Sequence, residues 1–345
     1  MSYQVTIQPG NRSFDIESDE TVLAAALREG ITIPYGCRNG ACGSCKGKIL
    51  QGQVSYGNAQ THVLAEFEKK AGYALFCQAK PLGDLVIEAR IISGVGQLDI
   101  RKLPCRVQEM RRVAPDIMVV KLKLPANERL QFLAGQYLDI LLKDGKRRSY
   151  SMGNPPHDDA FIELHVRNIA QGTFTDFVFN KMKEKDILRF EGPLGTFFLR
   201  EDSDKPMILV ASGTGFAPIK SIIEHAFHLG TTRQMVLYWG GRRPFDIYMG
   251  DLAGRWQQEH DNFTFIPVCS DATVEDAWRG RTGFVHRAVM QDFPDMTGYQ
   301  VYVCGAPVVV ESARRDFTTT CLLPEEEFYS DAFTPSGDTN SQSPS

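Results

Sequence analysis

Cys37, Cys42, Cys45 and Cys77 stand as C-x4-C-x2-C with a fourth cysteine further along, the plant-type spacing for a [2Fe–2S] cluster. Around the first three the chain reads Pro34-Tyr35-Gly36-Cys37-Arg38-Asn39-Gly40-Ala41-Cys42-Gly43-Ser44-Cys45. Small residues and glycines at this density let a loop close on an inorganic core and aim backbone N–H groups at its sulfurs. Structural zinc would want two short C-x2-C or C-x2-H pairs, and only one such pair is present. Disulfides need an oxidising compartment, yet Met1-Ser2-Tyr3-Gln4-Val5 has no basic region followed by an apolar run. A reducing cytoplasm is therefore expected. Cys105, Cys269 and Cys321 are scattered and read as small buried apolar residues. The cysteine pattern predicts a protein that moves electrons.

A chain of 345 residues has room for two or three domains, each with its own core. No apolar run reaches the length of a membrane span, and neither a basic stripe nor an internal repeat occurs, so neither membrane nor nucleic acid is an expected partner. Counting Asp and Glu against Lys and Arg gives a net charge of 0 for residues 1–97, +3 for 98–205 and −7 for 206–345. A freely diffusing ferredoxin often steers to partners with a field of one sign. A neutral one suits an electron donor attached to the same chain.

Residues 3–9 and 12–17 alternate like strands about a Gly10-Asn11 turn and predict a hairpin. A helix is expected over 21–29, opened by Asp19 or Glu20 and ended by Gly30. After the cysteine loop a short helix over 63–70 and a strand over 85–89 complete a small β-grasp. Ser93-Gly94-Val95-Gly96 is the first linker. Residues 105–198 hold short strands between turn signals, among them 117–124, 137–142 and 162–166, which suits an antiparallel barrel. After Pro206, strands at 207–211, 235–239, 263–268 and 301–303 alternate with helices and imply a parallel sheet with crossovers. The predicted division is 1–97, 98–205 and 206–336, with 337–345 a polar, disordered tail. The fold class is thus multidomain, α+β and α/β: β-grasp ferredoxin, antiparallel β-barrel, doubly wound parallel sheet.

Arg148-Ser149-Tyr150-Ser151 offers a guanidinium fork for a pyrophosphate, a flat ring for a flavin and a hydroxyl for its reactive nitrogen. By itself the motif also fits an ordinary amphipathic strand. Gly172-Thr173-Phe174-Thr175 can bring N–H groups and a hydroxyl to the same pyrophosphate at a helix start, or simply cap a helix. Strand 207–211 runs into Gly213-Thr214-Gly215-Phe216-Ala217-Pro218, glycines that would let a dinucleotide approach a helix N-terminus, with Pro218 expected at its first position. At a later strand tip stands Val303-Cys304-Gly305-Ala306-Pro307, where Cys304 can lie beside a nicotinamide or serve as a buried structural thiol.

Three modules in this order, with these motifs, resemble the ferredoxin–NADP reductase superfamily in the branch that fuses a plant-type ferredoxin to FAD and NAD modules. Within it, Leu133-Ala134-Gly135-Gln136-Tyr137, Glu163-Leu164-His165-Val166-Arg167, Thr282-Gly283-Phe284-Val285-His286 and Ser330-Asp331-Ala332-Phe333 resemble reductases that serve deoxysugar dehydrases of the CDP-6-deoxyglucoseen type. Reductases of Rieske dioxygenases and di-iron monooxygenases share the architecture. The resemblance implies that Cys37, Cys42, Cys45 and Cys77 hold the cluster and that Arg148, Tyr150 and Ser151 hold FAD. It puts Gly172, Thr173 and Thr175 at the FAD pyrophosphate, and Gly213, Thr214, Gly215, Pro218, Cys304 and Gly305 at the nicotinamide nucleotide. Phe333 closes the flavin site, and Tyr150, Ser151 and Cys304 are the expected catalytic side chains. Electrons would pass from NAD(P)H through FAD and the cluster to a dehydrase or oxygenase partner. Arg242 and Arg243 after Tyr238-Trp239-Gly240 stand where an adenosine 2′-phosphate would bind, or form a solvated turn; NADH is the favoured nucleotide. A non-catalytic carrier or redox sensor would require a damaged nicotinamide motif, and these motifs are intact.

Overall fold

The computed structural model describes residues 1–92 and 98–334, so the expected linker at 93–96 and the tail at 337–345 lie outside the described residues. The chain divides into two compact units, residues 1–99 with 194–196, and residues 100–193 with 197–345.

In the first unit β1 (Ser2–Gln8) and β2 (Arg12–Glu17) pair antiparallel about the turn, where Gly10 and Asn11 both take positive φ. Helix α1 (Val22–Arg28) is capped by Thr21, whose hydroxyl accepts from the Ala24 N–H. Neither Asp19 nor Glu20 is the cap: Glu20 lies one residue too far out and bonds Arg28 instead. There follow β3 (Lys46–Gln51), β4 (Val54–Ser55), α2 (Glu66–Lys70), β5 (Tyr73–Leu75), β6 (Lys80–Pro81) and β7 (Leu85–Glu88). The main sheet has the order β2-β1-β7-β3-β5, with β1 and β7 parallel, and α1 lays Val22, Leu23 and Ala26 against Ile7, Ile16 and Ile87. This is the β-grasp expected.

The second unit opens with β8 (Arg101–Ala114), β9 (Ile117–Lys123), β10 (Tyr137–Leu141), β11 (Arg147–Ser151), β12 (Ile162–Arg167), α3 (Thr173–Asn180) and β13 (Ile187–Leu194). Its six strands run β11-β10-β13-β8-β9-β12, and a bridge from Met152 to Leu164 joins the two outer strands, closing the barrel. Leu103, Val107, Leu122, Leu138, Ile140 and Phe190 fill the interior.

A parallel sheet follows: β14 (Met207–Ser212), α4 (Phe216–His228), β15 (Met235–Gly241), α5 (Gly250–Glu259), β16 (Phe263–Cys269), β17 (Arg281–Thr282), α6 (Val285–Asp292), β18 (Gln300–Gly305), α7 (Pro307–Thr319) and β19 (Phe328–Ala332). Its order β17-β16-β15-β14-β18-β19 runs outward from β14 in one direction and then returns to β18 on the other side. The crevice between β14 and β18 is the switch point at which such sheets bind ligands. Two strands of this parallel sheet, β17 and β19, were not foreseen. β17 is two residues long, and β19 interleaves polar Ser330 and Asp331 with its apolar residues. No helix among the described residues is long and apolar enough to cross a membrane.

Candidate functional site

In the first unit the four cysteines gather on the loop 36–45 and the residue after β5 and Phe76. They stand as two hydrogen-bonded pairs, Cys37 with Cys42 and Cys45 with Cys77. Hydrogen bonding from Cys42 outweighs burial and, helped by N–H groups of Asn39, Ala41 and Cys42, brings the Cys37 thiol down to about 5. The Cys77 thiol is lowered by Cys45, again against burial, while Cys42 and Cys45 are pushed up by their hydrogen-bonded partners and by burial. The N–H groups of Asn39, Ala41 and Cys42 meet the Cys37 sulfur and that of Gly40 meets the Cys77 sulfur, in a loop where Arg38, Gly40 and Gly43 adopt positive φ. At Gly40 a side chain would also collide, its Cβ 2.9 Å from Gln78 Cγ and 3.1 Å from the Asn58 carbonyl oxygen. Two thiol pairs ringed by inward N–H donors fit a cluster with two irons and two ligands on each.

In the second unit the motifs assigned to FAD meet. Arg148, Tyr150 and Ser151 lie on edge strand β11, and the Tyr150 ring packs at 5.6 Å on Phe174 from the first turn of α3. Burial raises the Tyr150 phenol above its ordinary value, so it stays a neutral aromatic face. Gly172 is the N-cap of α3, and a Cβ there would stand 2.6 Å from Thr175 Oγ1. The Thr175 hydroxyl is engaged by the carbonyls of Ile169 and Gly172, so it shapes the helix entrance where Thr173 stands. A helix start of this form suits an anion.

The nucleotide motifs meet at the switch point. After β14, Gly213, Thr214 and Gly215 form a 3-10 turn that leads directly into α4 at Phe216. The turn starts the helix two residues ahead of Pro218, which therefore sits within the first turn rather than at its first position; no i−4 bond is lost there. Gly215 packs on the end of β18 so closely that a Cβ would lie 2.2 Å from the Cys304 carbonyl oxygen. Cys304 is fully buried, and burial pushes its thiol well up, so in this conformation it is a neutral thiol. Phe333 donates its N–H to the Gly305 carbonyl at 2.8 Å. Trp239 donates its indole N–H to the Gly213 carbonyl at 3.1 Å and stacks on Phe216 at 3.7 Å, which bolts the turn to β15.

A buried polar network joining barrel and parallel sheet was missed from sequence. Lys220 on α4 donates to the Gly153 carbonyl at 3.0 Å and to Glu224 at 2.9 Å, and stands 3.2 Å from Glu163. Burial disfavours the ammonium, but Glu163 and Glu224 outweigh it and hold its pKa above the ordinary lysine value. His165 is 2.9 Å from Glu163 through Nε2 and 2.7 Å from the Tyr248 hydroxyl through Nδ1. Beside it Arg167 pairs with Asp246 at 2.6 Å and Asp116 at 3.0 Å, and a Cβ on Gly213 would touch its guanidinium at 2.9 Å. Glu163, His165 and Arg167 share one face of β12 at period two, and such alternation usually marks a solvated face. Here that face packs on the turn after β14. The signal was Lys220 between Ile219 and Ile222 in the apolar first half of α4, since a buried lysine must be paired.

Burial lowers the pKa of His165, and Glu163 is brought down to about 2 because the His165 N–H and the Lys220 charge overcome burial. Both folded values lie below the unfolded ones, so each group stabilises the fold above its unfolded pKa and loses that contribution as pH falls. Stability should therefore decline as pH drops from 6.5, first through His165 and below 4.5 through Glu163. Denaturant titrations of the wild type and His165→Gln between these values check this. The variant should show the shallower slope above pH 4.5, and equal slopes would rule His165 out as the source.

Comparison with known proteins matches residues 5–82 to a 2Fe-2S iron-sulfur cluster binding domain, 104–199 to an oxidoreductase FAD-binding domain and 209–315 to an oxidoreductase NAD-binding domain. The CDP-6-deoxy-L-threo-D-glycero-4-hexulose-3-dehydrase reductase of Yersinia pseudotuberculosis is 39% identical over 97% of this chain and 100% of its own length. The chain belongs to the iron–sulfur flavoprotein reductases. The phenol hydroxylase P5 protein of Acinetobacter pittii is 32% identical over 98% of this reductase and 96% of that protein. The crystal structure of the Amycolatopsis cytochrome P450 reductase GcoB superposes with a TM-score of 0.78 at 34% identity, covering 96% of this chain and 99% of that one. The reductase is thus an NAD(P)H-dependent oxidoreductase with FAD and a [2Fe–2S] centre, carrying electrons from NAD(P)H through FAD to the cluster.

Proposed function

We propose that this reductase supplies electrons to a dehydrase acting on a nucleotide-linked deoxyhexulose, with NADH as its reductant. The observation that carries the reading is the 39% identity to the Yersinia pseudotuberculosis dehydrase reductase along that protein's whole length, against 32% to 36% for the phenol hydroxylase, terephthalate dioxygenase and aromatic O-demethylase reductases. In this reading residues 1–97 are the cluster module, ligated by Cys37, Cys42, Cys45 and Cys77. Residues 98–205 hold FAD through Arg148, Tyr150, Ser151 and the helix start at Gly172, Thr173 and Thr175. Residues 206–336 take the nicotinamide nucleotide on Gly213, Thr214, Gly215 and Pro218, with Cys304 and Gly305 across the crevice, and Phe333 closes the flavin site from the C-terminal side. Bound FAD supplies the conversion from a two-electron donor to single-electron delivery. The chain's own task is to orient the two nucleotides, keep water from the reacting edge and hold Tyr150 neutral. None of the eight cysteines is paired in a disulfide, which suits a cytoplasmic setting.

Anaerobic titration of the holoprotein with NADH, then NADPH, should bleach the flavin and cluster absorbances together, NADH acting at the lower concentration. The reduced protein is then mixed with a purified deoxyhexulose dehydrase or with an oxygenase component. Faster reoxidation by the dehydrase supports the proposal, and faster reoxidation by the oxygenase replaces it with the hydroxylase reading.

A further inference from the structure

Arg242 and Arg243 follow β15, the strand beside β14. In an open α/β sheet that strand tip faces the adenosine ribose, where an acidic residue suits a free 2′-hydroxyl and an arginine a 2′-phosphate. Two arginines there would suggest NADPH. The structure gives Arg243 a different partner. Its Nε donates to Asp276 Oδ2 at 2.7 Å, and its Nη2 donates to Asp276 Oδ1 at 2.8 Å and to Thr273 Oγ1 at 3.1 Å. Both oxygens of one carboxylate thus fill the fork a phosphate would use.

The arrangement is held from several sides. Asp276 also accepts the Thr273 N–H at 2.8 Å, closing its own turn. The loop bearing it is laced to the arginine turn, Ser270 N–H to Gly241 O and Asp271 N–H to Arg242 O, both at 2.9 Å. Asp246 accepts the N–H groups of Arg242 and Arg243 at 2.9 and 3.0 Å and so fixes the shape of the turn itself, which cannot swing away from the loop without breaking the Ser270 and Asp271 bonds. Asp271 and Glu275 add their negative charge around the same guanidinium. A 2′-phosphate arriving here would have to displace a paired carboxylate and approach two more.

We propose that Asp276 is a nucleotide-specificity residue: by occupying the fork of Arg243 it withholds that arginine from a 2′-phosphate and makes the reductase prefer NADH to NADPH. The proposal rests on the reading of Gly213, Gly215 and Gly305 as the nucleotide site. No covalent step is involved; the effect is on binding alone.

The test compares wild type, Asp276→Asn, Arg243→Gln and the double variant, measuring kcat/KM for NADH and NADPH and inhibition by 5′-AMP and 2′,5′-ADP. Asparagine keeps an oxygen for the Thr273 N–H and removes the charge. Wild type should prefer NADH. Asp276→Asn should raise the NADPH:NADH ratio about tenfold or more and tighten 2′,5′-ADP relative to 5′-AMP, with NADH changed by less than about threefold, as expected when a charged fork is released to a phosphate. Adding Arg243→Gln should return the ratio to the wild-type value. An unchanged ratio in Asp276→Asn, or a gain that survives loss of Arg243, overturns the assignment; direct calorimetric titration with 5′-AMP and 2′,5′-ADP decides it even where turnover is lost. Failure of the wild type to bind either adenosine nucleotide would instead sink the nucleotide-site reading beneath it.

Discussion

A Lys220→Met reductase should unfold about 3–5 kcal/mol more easily than wild type, the cost of leaving buried carboxylates without their cation. Met matches the aliphatic stem, so the loss is one of charge and hydrogen bonds, not of packing. Three groups depend on the Lys220 ammonium: the Gly153 carbonyl, Glu224 and Glu163. Glu224 already has its pKa raised by burial despite the lysine, so it will take a proton when the lysine is gone. Glu163 keeps the His165 N–H. Denaturant unfolding of the flavin-containing protein measures the effect. The companion variant Lys220→Met with Glu163→Gln should recover part of the loss, since the two changes act on one pair and their energies should not add. A Lys220→Met protein within about 0.5 kcal/mol of wild type, the range of an ordinary surface change, would mean the network is solvated and does not tie α4 to the barrel.

That network also shows where reading the sequence stops. The four cysteines were legible because cluster chemistry dictates their number and spacing, and no partner elsewhere in the chain is needed to recognise them. The change from short strands to alternating strands and helices at Pro206 was equally legible, because the two sheet types bury different faces. What could not be read was which polar face becomes an interface. Ile162, Leu164 and Val166 face the barrel interior while Glu163, His165 and Arg167 alternate with them. Local pattern sends the second set to solvent, whereas the fold sets it on α4 and the turn after β14. The same limit applies to Arg243. Its neighbours in sequence suggest a phosphate site, and the carboxylate that occupies it comes from residue 276. β19 escaped because its pattern is short and broken by Ser330 and Asp331, and its strand character comes from pairing along β18.

The glycines at the switch point were read as room for a pyrophosphate, and the geometry gives them a second task that predicts a larger effect. Gly215 and Gly305 let two stretches of backbone cross in contact. A Cβ at Gly305 would lie 2.4 Å from the Ser212 carbonyl oxygen, and one at Gly215 would lie 2.2 Å from the Cys304 carbonyl oxygen. Backbone cannot step aside as a flexible side chain can, so either alanine must push the turn after β14 away from β18. Gly305 carries a further penalty because its φ of 133° is one that side chains avoid. Gly305→Ala should lose NADH-driven flavin reduction by about a hundredfold or more, equivalent to about 2.7 kcal/mol of binding and alignment. The flavin and cluster spectra should persist, because the FAD residues assigned on β11 and α3 and the four cluster cysteines lie outside this turn, and dithionite should still reduce both. Gly254→Ala is the control: it lies in α5 with nothing within 4 Å of a new Cβ, so it should be neutral or slightly stabilising. Stopped-flow reduction by NADH measures all three proteins. If Gly305→Ala is reduced by NADH at the wild-type rate, the crossing of these strands' ends does not set the nucleotide turn, and the site must be sought elsewhere along the sheet.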